Sequence, residues 1–345
     1  MKLGLNLGYS GRKLTLPLEL VAEAERLGFD SCWTSEAYGS DAVSTAAWIL
    51  ARTQRIRVGT AILQLPARTP TMAAMTALSL DHLSDGRFIV GLGPSGPQVV
   101  EGWYGASYAK PLTRLREYIE IMRLVSAREA PVQYDGYHYQ LPYRGADASG
   151  LAKPLKSILH AERRIQIYTA SLQPKAVAMS AELSDGFFPI WLNPERADLF
   201  EAPIQEGLAK AGKSRKDFDL APFVNVVMGD DLQQCRNFVK PALALYIGGM
   251  GPRGKNFYNE YAARCGFGDA AKQIQDLYLD GKKAEAVAAV PDAFVDDIAL
   301  LGSAARIKDR LQAWLAAGKA GNIGTMILGS GQPEALRVVA ETVLG

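Results

Sequence analysis

Histidine is nearly absent from this chain: His82, His138 and His160 are the only three in 345 residues. None stands at ligand spacing with another, and none falls in a loop that follows an expected strand, so no metal site is expected. Cysteine is as scarce. Cys32, Cys235 and Cys265 are too few and too dispersed for a disulfide framework or a zinc cluster. Cys32 lies in an apolar, strand-like run and reads as a packed core thiol. No G-x-S-x-G elbow occurs, so a serine nucleophile beside a histidine is not expected. Dense Lys/Arg runs are missing too. The net charge is +2, from 38 basic and 36 acidic residues, which argues against a nucleic-acid surface. No apolar stretch reaches the ~18 residues of a membrane span. The opening "MKLGLNLGYS" has no long apolar segment or cleavage site of a secretory signal. The expectation is a reduced, cytoplasmic protein with a small-molecule substrate and with neither nucleic-acid nor membrane partner.

What the chain does have is regular alternation. A short apolar run, a Gly-containing or polar turn and a helical pattern recur along it. Strands are expected at about 3–7, 31–34, 56–60, 88–92, 165–169, 186–190, 220–227 and 323–328. Helices are expected at about 17–27, 41–51, 69–83, 113–127, 174–183, 195–211, from 231 onward and at 333–344. Eight such units favour an α/β fold of the (β/α)8 TIM-barrel type over an open doubly wound sheet. The reading is one domain over residues 1–345 with insertions after strands 4 and 7. The first carries "PVQYDGYHYQLPY", with a hairpin signal at Asp135-Gly136. The second is Gly-rich at its start, then helical, at about 248–300.

In a barrel of this kind function sits where the strands end. Those loops are rich in Gly, Ser, Thr and apolar residues and poor in catalytic side chains; Glu36 and Asp41 are the carboxylates that stand out. Such a mouth suits a bound molecule that brings its own chemistry. The segment "FIVGLGPSGPQVVEGWYG", 88–105, points the same way. Its glycines let a ligand approach the main chain, and Trp103 and Tyr104 then cover it.

The segments "GLNLGY", "LGFDSCWTSEAYGSD", "ARTQRIRVGTAILQLPARTPTMAAM", "LDHLSDGRFIVGLGPSGPQVVEGWYG" and "SDGFFPIW" resemble, in order, the luciferase-like monooxygenase superfamily. Within it they are most similar to the coenzyme F420-dependent oxidoreductases, the branch with methylenetetrahydromethanopterin reductase and F420-dependent glucose-6-phosphate dehydrogenase. The resemblance spans essentially the whole chain, including "LALYIGGMG" and "KNFYNEY". It implies hydride transfer between the deazaflavin C5 and a small organic substrate, in a homodimer or higher oligomer. It also implies a non-proline cis peptide behind the ring, which falls at Ala61-Ile62. Gly93, Ser95, Gly96 and Gln98 would line the ring and ribityl chain, and Thr169, Ala170 and Ser171 the phosphate turn. Tyr38, Trp103, Tyr104 and Trp191, with Phe188, would form an aromatic substrate pocket. Arg68, Arg253 and Lys255 are candidates for the anionic tail. The branch's catalytic His position is Ala37 here, which leaves Glu36 as the candidate acid or base. Three other readings stay open: an FMN-dependent monooxygenase using oxygen, a non-catalytic F420- or flavin-binding protein, and a cofactor-free barrel lyase or isomerase.

Overall fold

The computed structural model describes residues 1–345. Its first strand, β1 (Lys2–Asn6), pairs in parallel with β2 (Ser31–Thr34), which pairs with β3 (Arg57–Thr60). The ladder continues in parallel through β4 (Phe88–Gly93), β5 (Ile167–Ala170) and β6 (Gly186–Phe188). The seventh strand, β7, is in two pieces, Asp219–Leu220 and Phe223–Met228. Pro222 stands between them and has no N–H to give a ladder. The first piece pairs with β6 and the second with β8 (Thr325–Gly329), which returns to β1. The eight strands therefore close into the expected TIM barrel through a broken seventh strand. Continuity across the break is kept by Ala221 N–H donating to Phe187 O at 2.9 Å and Ile327 N–H to Pro222 O at 2.9 Å.

Strand alternation sorts the side chains into two layers. Outward residues such as Leu3, Cys32, Val58, Val90, Phe187 and Val226 pack under the helices in one large core. Inward residues are fewer and bulkier. Trp33, Ile89, Tyr168, Phe188, Ala221 and Ile327 fill the barrel interior. Trp33 meets Phe188 edge-on at 5.0 Å, and Tyr168 stacks on Phe188 at 5.4 Å. Gly59 makes room for this cluster, since a Cβ there would lie 2.2 Å from the Trp33 ring.

The helices cover the barrel: α1 (Leu18–Arg26), α2 (Ala42–Leu50), α3 (Pro70–Leu83), α4 (Pro111–Ala127), α5 (Pro174–Leu183), α6 (Glu201–Ala211), α7 (Leu232–Ala244), α8 (Ala304–Lys319) and α9 (Pro333–Leu344). Asp41, Thr69, Asp231 and Ser303 cap their helices through side-chain acceptors. No helix is long and apolar enough to cross a membrane.

The excursion with the two-stranded hairpin Tyr134–Asp135 and Gln140–Leu141 follows α4 and precedes β5. The later insertion holds the helices Phe257–Ala262, Gly268–Leu279, Lys283–Ala288 and Asp292–Ile298 around a second, smaller apolar cluster. Two features of this region have no counterpart in the sequence reading. One is α8. The other is an additional strand, Ala299–Gly302, parallel to the upper piece of β7 on the side that β6 has left.

Candidate functional site

The small inward residues near the strand ends set the floor of the barrel mouth. On β4 the inward positions are Ile89, Gly91 and Gly93; the first is packed and the other two carry no side chain. A Cβ on Gly91 would lie 1.8 Å from Thr60 O, and one on Gly93 would lie 2.8 Å from Ile62 Cδ1. Gly93 is thus needed to seat Ile62, and it is Ile62 that faces the mouth at that point. The peptide bond between Ala61 and Ile62 is cis. Both side chains pack on the interior cluster, as does Ala170 on β5. The floor is apolar, built of Ala61, Ile62 and Ala170 beside the backbone of Gly91 and Gly93.

Amide side chains rim this floor. Gln64 is buried; its Nε2 donates to Ser95 Oγ at 3.2 Å, while its Oε1 is buried without a hydrogen-bond partner. Ser95 has a φ of 62°, which turns the chain sharply after β4. Asn225 lies between Val224 and Val226, both in the outer core, and shares its face with Phe223, which packs on the interior cluster. It therefore faces the axis, and it is exposed there. Its Oδ1 sits 3.0 Å from where a Cβ on Gly329 would stand. Asn6, inward on β1, accepts from Gly8 N–H at 3.1 Å and shapes the loop that carries Tyr9. Asn6, Gln64 and Asn225 do not figure among the site residues expected from the sequence. An amide on the inward phase of a strand is the signal that would have found Asn6 and Asn225.

Glu36 is placed differently from the sequence expectation. It continues the outward phase of Cys32 and Thr34, and its side chain is 4% exposed. Gln64 N–H donates to Oε2 at 2.9 Å and Ala42 N–H to Oε1 at 3.4 Å. Arg68 Nη1 holds both oxygens, at 2.9 and 3.1 Å, and its Nη2 pairs with Asp41. Burial works against the Arg68 charge, but the two carboxylates outweigh it and hold its pKa above the ordinary value. Burial likewise opposes ionisation of Asp41, yet the Ser44 hydrogen bonds and Arg68 leave its pKa below the usual carboxylate range. A carboxylate so fully engaged has no free lone pair facing the mouth, so the geometry supports a positioning role for Glu36 and not an acid–base one. Arg68 is likewise internal and paired, and Arg253 is taken by Asp276 and Asp280, so neither is free for an anionic tail.

The expected phosphate turn divides in two. Thr169 points outward and is fully buried, donating to Ser180 Oγ at 2.7 Å; alternation excludes it from the mouth. Ala170 faces inward. Ser171 is half-buried two residues before the α5 N-cap, 3.4 Å from the same Ser180 hydroxyl. The α5 N-cap residue, Gln173, does not cap the helix with its side chain but donates to Glu260 of the insertion at 2.8 Å. Gly96 and Gln98 lie on the outer side of the opening, with Gln98 exposed on the short helix Pro97–Gly102.

The aromatics also separate. Tyr38 and Trp103 are exposed and lie side by side, ring centroids 6.4 Å apart. Tyr104 is half-buried, and burial and the nearby Glu36 charge raise its pKa. Trp191 sits beneath the insertion, against Tyr246, Tyr258, Tyr261 and Phe294. Phe188 is interior packing and takes no part in the pocket wall. No three His, Cys, Asp or Glu side chains come together in a cluster that could hold a metal ion.

The luciferase-like monooxygenase family model matches residues 4–320. A Mycobacterium tuberculosis protein provisionally named a coenzyme F420-dependent oxidoreductase is 45% identical over 99% of both chains. The 5,10-methylenetetrahydromethanopterin reductase of Archaeoglobus fulgidus is 25% identical over 93% of this chain and 92% of its own. The F420-dependent tetrahydromethanopterin reductase of Methanopyrus kandleri superposes with a TM-score of 0.77 at 20% identity, covering 99% of this chain and 98% of that one. The family match, from near the first residue to the end of α8 on a closed eight-stranded barrel, places this chain in the luciferase-like monooxygenase family.

Proposed function

We propose that this protein is an F420-dependent oxidoreductase that exchanges a hydride between a bound deazaflavin and a small organic substrate. The observation that carries the reading is the floor of the mouth. It is apolar, with glycines at the inward positions where β4 ends, it is rimmed by amides, and its carboxylates Glu36 and Asp41 are engaged with Arg68. A site like this positions a reactive ring more readily than it reacts itself.

The residues present fit such a group. The buried, unpartnered Oε1 of Gln64 is an acceptor that lacks a donor, and a ring N–H is a donor of the right kind. Ala61, Ile62 and the Gly93 backbone would back the ring. Asn6 and Asn225 would face its polar edges, with Ser95, Gly96 and Gln98 along the ribityl side. Ser171 and the first turn of α5 would take the phosphate, where helix amides and dipole favour an anion. When bound, the deazaflavin gives or takes a hydride at C5. The chain's own work is to hold the substrate carbon near that atom, to exclude water with the aromatic wall, and to keep Gln64 in place through the Glu36 and Ser95 contacts. Cytoplasmic residence and a homodimer or higher assembly belong to the same proposal.

The test is a fluorescence or calorimetric titration with oxidised F420 run beside FMN. Tight F420 binding with weak FMN binding supports the reading. The reverse preference moves the chain to oxygen-using flavin chemistry, and binding of neither removes the function.

A further inference from the structure

The insertion brings tyrosine to the mouth. Tyr246 stands in a π-helical turn, Leu245–Gly249, that prolongs α7. Such turns recur at functional sites because they push one side chain out of helical register. Asn256, itself 1% exposed, locks the turn: its Nδ2 donates to Tyr246 O at 3.1 Å and Ile247 O at 2.9 Å, and its Oδ1 caps the next helix. The Tyr246 ring is held edge-on by Tyr258 at 4.8 Å and by Trp191 at 6.2 Å. Its hydroxyl lies 3.5 Å from that of Tyr9, which rises from the loop after β1 and is exposed.

The charged side chains nearest this ring are each engaged within the protein. Arg68 is paired with Glu36 and Asp41, Arg264 lies over Tyr261 and donates to Leu172 O, and Glu260 accepts from Gln173. Burial pushes the Tyr246 phenol far up and that of Tyr258 to about 12, so both remain neutral donors at ordinary pH. Phenols at 3.5 Å make a weak, long contact with one another. A carbonyl-type oxygen placed between them would accept from both.

We propose that Tyr9 and Tyr246 are the substrate-recognition pair. They select an uncharged substrate with a planar or apolar body and one carbonyl-type oxygen, and the aromatic wall discriminates against phosphorylated and polycarboxylate molecules. This rests on the oxidoreductase reading for where the substrate goes, but not for how it is recognised.

The experiment titrates the protein, as purified and again after loading with oxidised F420, while tryptophan fluorescence is followed. The probes are 2-cyclohexen-1-one and acetophenone, ethylbenzene as the body without the oxygen, and cinnamate and glucose 6-phosphate as charged competitors. The two ketones should bind in preference to both charged probes. Tyr246→Phe, which keeps the ring and its packing, should weaken ketone binding ~10-fold, as expected for one lost hydrogen bond, and leave ethylbenzene unchanged. Tyr9→Phe, at an exposed position, should act the same way and guards against a folding artefact. Preference for a charged probe, equal loss for ketone and ethylbenzene, or no binding of either ketone would overturn the proposal. Failure of F420 to bind while the ketones still distinguish Tyr246 from Phe would strike the oxidoreductase reading alone.

Discussion

Glu36 and Arg68 offer the sharpest test of how the mouth is built. Arg68→Met removes the guanidinium and leaves a carboxylate that is 4% exposed with only the Gln64 and Ala42 amides. Breaking a buried ion pair from one side costs about 3–5 kcal/mol. Because two amides remain and Arg68 itself is 17% exposed, the lower end, about 3 kcal/mol, is expected. In a chain of this size each kcal/mol moves the melting temperature by about 2 °C, so a fall of about 6 °C should appear in calorimetry or circular dichroism. Glu36→Gln should also destabilise, since an amide offers one acceptor where two amide donors and an arginine need more. The double variant Glu36→Leu with Arg68→Met should lose less than the two single changes added together, because neither charge is then stranded. An unshifted melting temperature for Arg68→Met would refute the ion-pair argument. A Glu36→Gln protein that melts normally and binds F420 but no longer turns over would return Glu36 to an acid–base role.

Other outcomes follow from single contacts. Gln64→Leu removes a buried acceptor that has no donor, so the cofactor-free protein should hold or gain stability while F420 affinity falls by about tenfold; equal affinity would detach Gln64 from the site. Gly59→Ala sets a Cβ 2.2 Å from the packed Trp33 ring and should cost about 3 kcal/mol by thermal melting. Gly102→Ala, which meets nothing within 4 Å, is its control and should melt like the parent. Burial opposes ionisation of Glu25, but the amides of Gln54, Arg55 and Ile56 outweigh it and hold its pKa below the ordinary carboxylate value. That stability is present above the unfolded-state pKa and is lost as pH falls through the lower folded value. A urea titration across the acid range should therefore show less acid sensitivity in Glu25→Gln, and an unchanged pH slope would refute the assignment.

Much of the architecture was legible because its causes are local. Short apolar runs alternate with helical patterns eight times, and the parallel barrel follows from that count. The excursion and the helical character of the insertion were visible as breaks in the rhythm. The strand Ala299–Gly302 was not, because it pairs only with the stretch of β7 that Pro222 frees from β6. Nothing local to "ALLG" announces that partner.

The site shows the same division. The sequence by itself determined which loops meet at the mouth and that they are poor in reactive groups; the family resemblance added that Gly93 and the Ala61–Ile62 stretch would border one ring. Which face each side chain takes was decided by the closed barrel. Strand phase turns Thr169 to Ser180 and Glu36 to Arg68, and it leaves Ala170 and Asn225 on the axis. A shift of one residue along a strand exchanges inside for outside, so a motif read as a string names the neighbourhood and leaves the side open. The meeting of Tyr9 with Tyr246, 237 residues apart, is beyond any local signal. It exists because the insertion folds back over the first strand's loop and Asn256 holds the turn that carries the phenol.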